Sequence, residues 1–309
     1  MARTGIDAAM TLTSGNPTAD RRFEIAMQLR ERGDEQAALE LMGQTLELVP
    51  AWPEGRFVLA EMLAAAGQSQ AATVAFEAYL AIDPGDSMGA AAKLAALGLA
   101  PVRSLSPAYV ERLFDQYAKR FDKALVEGLK YNAPKQIRDA LSAHFPGRRF
   151  ARCLDLGCGT GLMGAAIRDL VTTLVGVDLS AGMLAEAKSK NIYDELAHSS
   201  LQEALTRERV SVDLILAADV LVYVGDLAPV MMAVATALQP GGLLAFTLQV
   251  STEAEFRLGA DQRFSHNEGY VTDGVSAAGL NLMTLTHSSF RQERKIDVPG
   301  LLIVAAISA

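Results

Sequence analysis

The stretch Cys153-Leu-Asp-Leu-Gly-Cys-Gly-Thr-Gly-Leu162 decides how the rest of the chain reads. Residues 153–156 form a short buried strand that breaks into glycines and then starts a helix. Such a unit sets backbone N–H groups beside a ligand, and its glycines let the backbone approach that ligand closely.

Outward from this loop the pattern is α/β. Apolar, β-branched runs predict strands over 153–156, 173–177, 212–217 and 243–248, with a further short strand near Ala197. Amphipathic spacing predicts helices over 161–170, 181–188, 227–238 and 273–278. Two late strands, 281–286 and 300–307, form a candidate antiparallel hairpin at the sheet edge, with the charged stretch 291–295 as a loop between them. Strands alternating with helices imply a parallel, doubly wound sheet.

The glycines support two overlapping readings. Gly159-x-Gly161-x-x-Gly164 matches a dinucleotide fingerprint, with Asp178 at the end of the next strand. The same residues also read as Asp155-x-Gly157-x-Gly159-x-Gly161, with a carboxylate inside the strand. This second form, together with Asp178-Leu-Ser-Ala-Gly-Met-Leu184, Ala217-Ala-Asp-Val-Leu221 and Leu238-Gln-Pro-Gly-Gly-Leu243, resembles the class I S-adenosylmethionine-dependent methyltransferases over residues 152–309. The resemblance implies an α/β, Rossmann-like sheet of order 3-2-1-4-5-7-6 with strand 7 antiparallel. It also implies S-adenosyl-L-methionine as cofactor and S-adenosyl-L-homocysteine as product. Against a nicotinamide dehydrogenase stand Asp155 and the Pro240-Gly-Gly turn.

By that resemblance Asp155 favours the cofactor ammonium, and Gly157, Gly159 and Gly161 pack against the ligand. Asp178 accepts from the ribose hydroxyls, as suits a carboxylate facing a diol. Leu179, Met183, Ser200, Leu201 and Asp219 complete the cofactor set. Within His198-Ser199-Ser200-Leu201 a serine stands where the family often places an acid for the adenine amino group.

The N-terminal third is helical and repeats itself. Pro50 and Pro84 lie 34 residues apart, as do Gly33/Gly67, Phe23/Phe57, Ala26/Ala60, Ala38/Ala72 and Leu46/Leu80. Residues 21–100 resemble tetratricopeptide repeats, an all-α unit ahead of the sheet, with Thr18 where an aromatic is expected and Trp52 in that place one repeat later. Such a unit offers a surface for a protein partner, or else serves as a helical cap. Residues 1–20 are expected to be a flexible N-terminus, residues 101–150 linker and lid helices, and residues 151–309 the methyltransferase domain.

In the lid, the apolar spacing of Val110, Leu113, Phe114, Tyr117, Phe121 and Leu125 predicts one amphipathic helix over 109–122, then a break at Tyr131-Asn-Ala-Pro134 and a helix over 135–144. By resemblance to small-molecule methyltransferases, Tyr117 sits near the methionine moiety. Methyl transfer is an in-line displacement in which positioning supplies most of the acceleration, and a base is needed only where the nucleophile holds a proton. Asp219, Tyr223 and His266 are the candidate catalytic residues. Tyr270 is a further residue expected to face the site, and Arg263 or Arg291 offers a hold for an anionic acceptor.

Composition narrows the partners. The net charge of −8 argues against a nucleic-acid backbone, and Asp219-Val-Leu-Val-Tyr223 lacks the Pro-Pro pattern of base-amine methylation. The two cysteines, Cys153 and Cys158, form no Cys-x-x-Cys pair, and the four histidines show no metal pairing. No secretion signal or membrane span is read in the sequence. The chain is expected to be soluble and cytoplasmic, acting on a small molecule. The alternatives are a protein target docked on the repeats, or a non-catalytic adaptor retaining the cofactor fold.

Overall fold

The computed structural model describes residues 12–98, 101–208, 211–253 and 255–308. They divide into two compact units at Pro101/Val102. Residues 1–11 of the expected N-terminal extension, and residues 99–100 of the expected boundary, lie outside the described residues.

Among the described residues the first unit has five helices: α1 (Pro17–Glu31), α2 (Glu35–Leu48), α3 (Pro53–Ala65), α4 (Ser69–Ile82) and α5 (Ala90–Ala96). Helix α1 begins inside the stretch expected to precede the repeats, because the Asn16 side chain accepts from the N–H groups of Thr18 and Ala19 and Pro17 suits a first turn. The equivalent glycines Gly33 and Gly67 take left-handed φ values of 83° and 73°, closing the turns after α1 and α3. Ala26 and Ala60, also 34 apart, are both fully buried, so their small size lets helices pack closely. Trp52 meets Phe23 edge-on at 5.2 Å and covers Gly55, where an added Cβ would lie 2.3 Å from the indole. Trp52 is therefore a packing residue.

In the second unit the lid departs from one continuous helix. It comprises α6 (Pro107–Tyr117), a 3-10 turn at Ala118–Arg120 and a π-helical turn at Lys123–Gly128, followed by α7 (Ala133–His144). A π turn inside helical sequence rotates every later side chain away from the phase that 3.6-residue spacing predicts.

The sheet contains β1 (Phe150–Leu156), β2 (Val171–Asp178), β3 (Glu195–His198), β4 (Val212–Ala217), β5 (Leu238–Ser251), β6 (Phe256–Leu258), β7 (Phe264–Asn267), β8 (Leu280–Glu293) and β9 (Ile296–Ile307). Strands β3-β2-β1-β4-β5 are parallel neighbours, and β9 pairs antiparallel with β5 and with β8. Counting β8 and β9 as strands 6 and 7, this is the 3-2-1-4-5-7-6 order. The long β5 also pairs with β7 at its far end, and β6 joins β7. The stretch 291–295 is not a loop: β8 runs through Glu293, and only Arg294 and Lys295, at positive φ, turn the chain.

Helices α8 (Leu162–Ile167), α9 (Ala181–Ser189), α10 (Leu201–Arg207), α11 (Ala228–Ala237) and α12 (Glu268–Ala277) complete the unit. Alternation along β1 sends Leu154 and Leu156 into one core with Val230, Met231 and Val271. It sends Cys153 into the other, with Ile137, Leu141, Met163 and Ile167. Every residue of β4 is buried, as a central parallel strand covered on both faces requires. Among the described residues no helix is long and apolar enough to cross a membrane.

Candidate active site

A cavity opens at the carboxyl ends of β1, β2 and β4, where open α/β sheets place their ligands. Its empty volume is about 1230 Å³, part of it open to solvent.

One half is built by the glycine loop. Gly157 takes φ 60°, and an added Cβ there would lie 2.6 Å from the Val220 side chain. Only glycine lets the end of β1 pass this close to the loop after β4. Asp178, at the end of β2, accepts from the Gly159 N–H through Oδ2 and from the Ser180 N–H through Oδ1, each at 2.8 Å. Burial pushes its carboxyl above the ordinary range, and the two backbone donors oppose that rise. Leu179, Ser200 and Leu201 line the same half. The Ser200 hydroxyl is committed to a capping box with Glu203 at the start of α10, so this wall presents backbone more than side chain.

Three expected cofactor residues stand behind the wall. Asp155 is 1% exposed and outside the cavity lining. Its Oδ2 accepts from the Tyr193 hydroxyl at 2.6 Å, while Oδ1 has no hydrogen-bond partner among the described residues. Burial lifts its carboxyl to about 7. Gly161 faces Tyr193 instead of the cavity, and Met183 is wholly buried. Asp155 thus supports the loop from below through Tyr193, a residue no sequence pattern marks.

The lid ties itself to both loops. Asp122 accepts from the Thr160 hydroxyl of the glycine loop and from Lys190. Asp115 accepts from the Ser180 hydroxyl and the Gly182 N–H at the start of α9. Phe114, Phe121 and Leu125 then roof the cavity. Tyr117 does not: it is 46% exposed, with the Arg120 guanidinium over its ring. The lid tyrosine that reaches the cavity is Tyr131, whose hydroxyl donates to the Ala218 carbonyl at 3.3 Å. Burial holds the Tyr131 phenol well above its ordinary range, so it stays protonated.

The other half holds Asp219, Tyr223 and Arg263. Asp219 takes a left-handed φ of 61°, and its N–H donates to the Thr247 hydroxyl. Its Oδ1 receives Arg291 Nη1 at 2.8 Å. Tyr223 packs edge-on against Phe114, and Arg263 Nε donates to the Tyr223 hydroxyl at 3.3 Å.

His266 is elsewhere. It lies in β7, fully buried, with Nε2 against the carbonyls of Val224 and Gly225 and its ring stacked on Tyr270. Burial lowers its pKa to about 4, and the cavity lining includes neither ring. Its place in Phe264-Ser-His-Asn267, whose burial alternates, is a strand signal that a polar stretch disguises. Among the described residues no group of acidic, histidine or cysteine side chains could hold a metal.

Residues 154–244, which span the glycine loop, Asp178 and the loop after β4, match the family model described as a methyltransferase domain. The second unit carries a class I S-adenosylmethionine-dependent methyltransferase domain. Relatives of this methyltransferase domain include malonyl-[acyl-carrier protein] O-methyltransferase of Enterobacter lignolyticus, 38% identical over 37% of this chain and 45% of the relative. Another is a ubiquinone biosynthesis O-methyltransferase of Nitrobacter winogradskyi, 30% identical over 52% of this chain and 56% of the relative. The chain spans about half the length of the curated relatives it matches. In fold it is similar to Burkholderia thailandensis 1,6-didemethyltoxoflavin-N1-methyltransferase, solved with 1,6-didemethyltoxoflavin and S-adenosylhomocysteine bound. That likeness has a TM-score of 0.52 at 19% identity over 68% of this chain and 93% of that one.

The residues present fit the methyltransferase cofactor. Each Asp178 oxygen spends one lone pair on the backbone and keeps another for a diol. The methyltransferase glycine loop leaves the cavity side bare, with only the Phe121 ring 3.8 Å from where a Gly159 Cβ would stand.

Proposed function

We propose that this chain is an S-adenosylmethionine-dependent methyltransferase acting on an oxygen or nitrogen of a small molecule, by positioning. The observation that carries the reading is the continuity of one roofed cavity from Asp178 to Tyr223 and Arg263. Two ligands side by side need such a space. The O-methyltransferase names of the relatives favour oxygen over nitrogen.

When bound, S-adenosylmethionine supplies a methyl group on a sulfonium leaving group. In this reading Asp178 holds the ribose end, and Leu179 and Leu201 flank the adenine end. The lid residues Phe114 and Phe121 exclude water from the transfer. Asp219 is charge-paired with Arg291, and His266 is walled off in β7, so neither acts as base. Tyr131 keeps its proton and orients the Ala218 carbonyl. The acceptor therefore brings its own lone pair, as a phenolate, carboxylate or neutral amine does.

Helices α1–α4 are read as two tetratricopeptide-like hairpins followed by α5, on the 34-residue spacing of Gly33/Gly67 and Ala26/Ala60. The test is to titrate the full chain with S-adenosylhomocysteine and then supply labelled S-adenosylmethionine with fractionated extract. Binding, with label entering the low-molecular-weight fraction, is expected. No S-adenosylhomocysteine binding rejects the methyltransferase reading, and label confined to protein moves the acceptor to the alternative in which the repeats dock a protein.

A further inference from the structure

Arg263 is the one cationic side chain among the residues lining the cavity. It sits in an apolar setting, with Leu105, Val110, Phe114 and Tyr223 on the same half. Its side chain is 17% exposed, with Nε on the Tyr223 hydroxyl and Nη1 on Glu293 at 3.2 Å. Nη2 makes no hydrogen bond among the described residues, yet it is not sealed from solvent.

The Glu293 carboxylate is held loosely. Arg263 and Arg291 both reach it, but every contact falls on Oε1 alone, at 3.2 to 3.4 Å. A carboxylate gripped by a guanidinium forms two parallel bonds of roughly 2.7–2.9 Å. Glu293 is also 39% exposed, whereas Arg291 is 3% exposed and already satisfied by Asp219. The fork of Arg263 is thus half occupied by a carboxylate that can leave for solvent, at the edge of an apolar cavity.

We propose that the acceptor is an organic acid with an apolar or aromatic body, whose carboxylate displaces Glu293 and docks on Arg263. This rests on the methyltransferase reading and narrows its substrate class. A carboxylate bound to a guanidinium is a poor nucleophile, because the shared charge lowers its lone-pair energy. The carboxylate is therefore the handle, and the methylated atom lies on the body of the acid. The ring of Tyr223 and the walls formed by Val110 and Phe114 receive that body.

The test titrates benzoate and 4-hydroxybenzoate, each against its neutral amide, into the full chain with and without S-adenosylhomocysteine. The acids are expected to bind at least about tenfold more tightly than their amides, as loss of a charge-assisted pair implies. Arg263→Gln removes that preference, and Arg263→Lys restores part of it. Glu293→Gln tightens both acids severalfold and leaves the amides unchanged, an effect that a merely structural Glu293 would not produce. Equal binding of acids and amides, or a Glu293→Gln chain that treats them as the parent does, overturns the proposal. Binding of S-adenosylhomocysteine in the same samples separates the two readings. If it binds while the acids show no preference, the handle is rejected and the methyltransferase stands. If the acids are preferred and it does not bind, the methyl-transfer reading falls, and the acceptor role with it.

Discussion

Arg291 Nη1 donates to Asp219 Oδ1 at 2.8 Å across 72 residues of sequence, and both side chains are largely withdrawn from water. The pair joins the loop after β4 to the hairpin strand β8. Removing Asp219 leaves Arg291 with the longer Glu293 and Asp261 contacts alone. Asp219→Ala is expected to cost roughly 1.5–3 kcal/mol of stability, as a charged hydrogen bond is lost, read as a lowered denaturant midpoint. Asp219→Asn, which tolerates the left-handed backbone, should cost less. If Asp219→Ala unfolds like the parent, the pair contributes nothing.

Asp178 offers a sharper functional reading. Asp178→Ala should weaken S-adenosylhomocysteine binding by roughly 1.5–3 kcal/mol, or about tenfold to a hundredfold, as charged-acceptor hydrogen bonds are lost. Calorimetry measures this directly. Unchanged affinity rejects a ribose role.

His266 makes stability depend on pH. Its pKa falls from 6.5 to about 4 on folding because burial disfavours the charged ring. The folded state binds the proton less readily than the unfolded chain. The His266 contribution is therefore complete above about pH 6.5 and is lost as pH falls through the window down to about 4. A shift of this size amounts to roughly 3 kcal/mol. His266→Asn should flatten the denaturant-midpoint profile between pH 6.5 and 4. An unaltered slope contradicts the burial of a neutral ring.

The Tyr193 hydroxyl is the side chain that donates to Asp155 among the described residues. With the carboxyl lifted to about 7, it is ionised at pH 8.5 and mostly protonated at pH 5.5. Tyr193→Phe removes a bond to a charge at high pH and to a neutral acid at low pH. The loss of stability should be roughly 1.5–3 kcal/mol at pH 8.5 and smaller at pH 5.5. Equal losses at both pH values argue that Asp155 does not titrate there.

The lid anchors predict a kinetic effect. Asp122→Ala cuts the tie between the lid and Thr160, and should speed S-adenosylhomocysteine release severalfold while leaving thermal unfolding nearly unchanged. Stopped-flow displacement reads the rate. A parent-like rate means that the lid does not govern exit.

Much of this was legible in residues 150–246, where buried parallel strands write themselves as continuous apolar runs and the turn glycines stand in a fixed frame. Asp178 was legible because it ends a strand beside that frame. Tyr117 misled because apolar spacing does not show where the helix ends: it is the last residue of α6, its ring lies exposed beside Arg120, and Tyr131 farther along the lid reaches the cavity instead. His266 misled because a short strand among polar residues resembles a loop until β5 pairs with it. Arg291 looked like surface charge because its neutralising partner lies 72 residues away.

The cavity draws its two halves from different parts of the chain. The half that fits the cofactor comes from residues 157–202, inside the matched segment 154–244. The half proposed for the acceptor takes residues 104–131, Tyr223 and Arg263, and Arg263, with its partner Glu293 outside the lining, lies past the end of that segment. In the proposed reading, substitutions in β7 or the last hairpin reshape the acceptor's surroundings without altering residues 157–202, whereas the lid, tied to Thr160 through Asp122, bears on both halves.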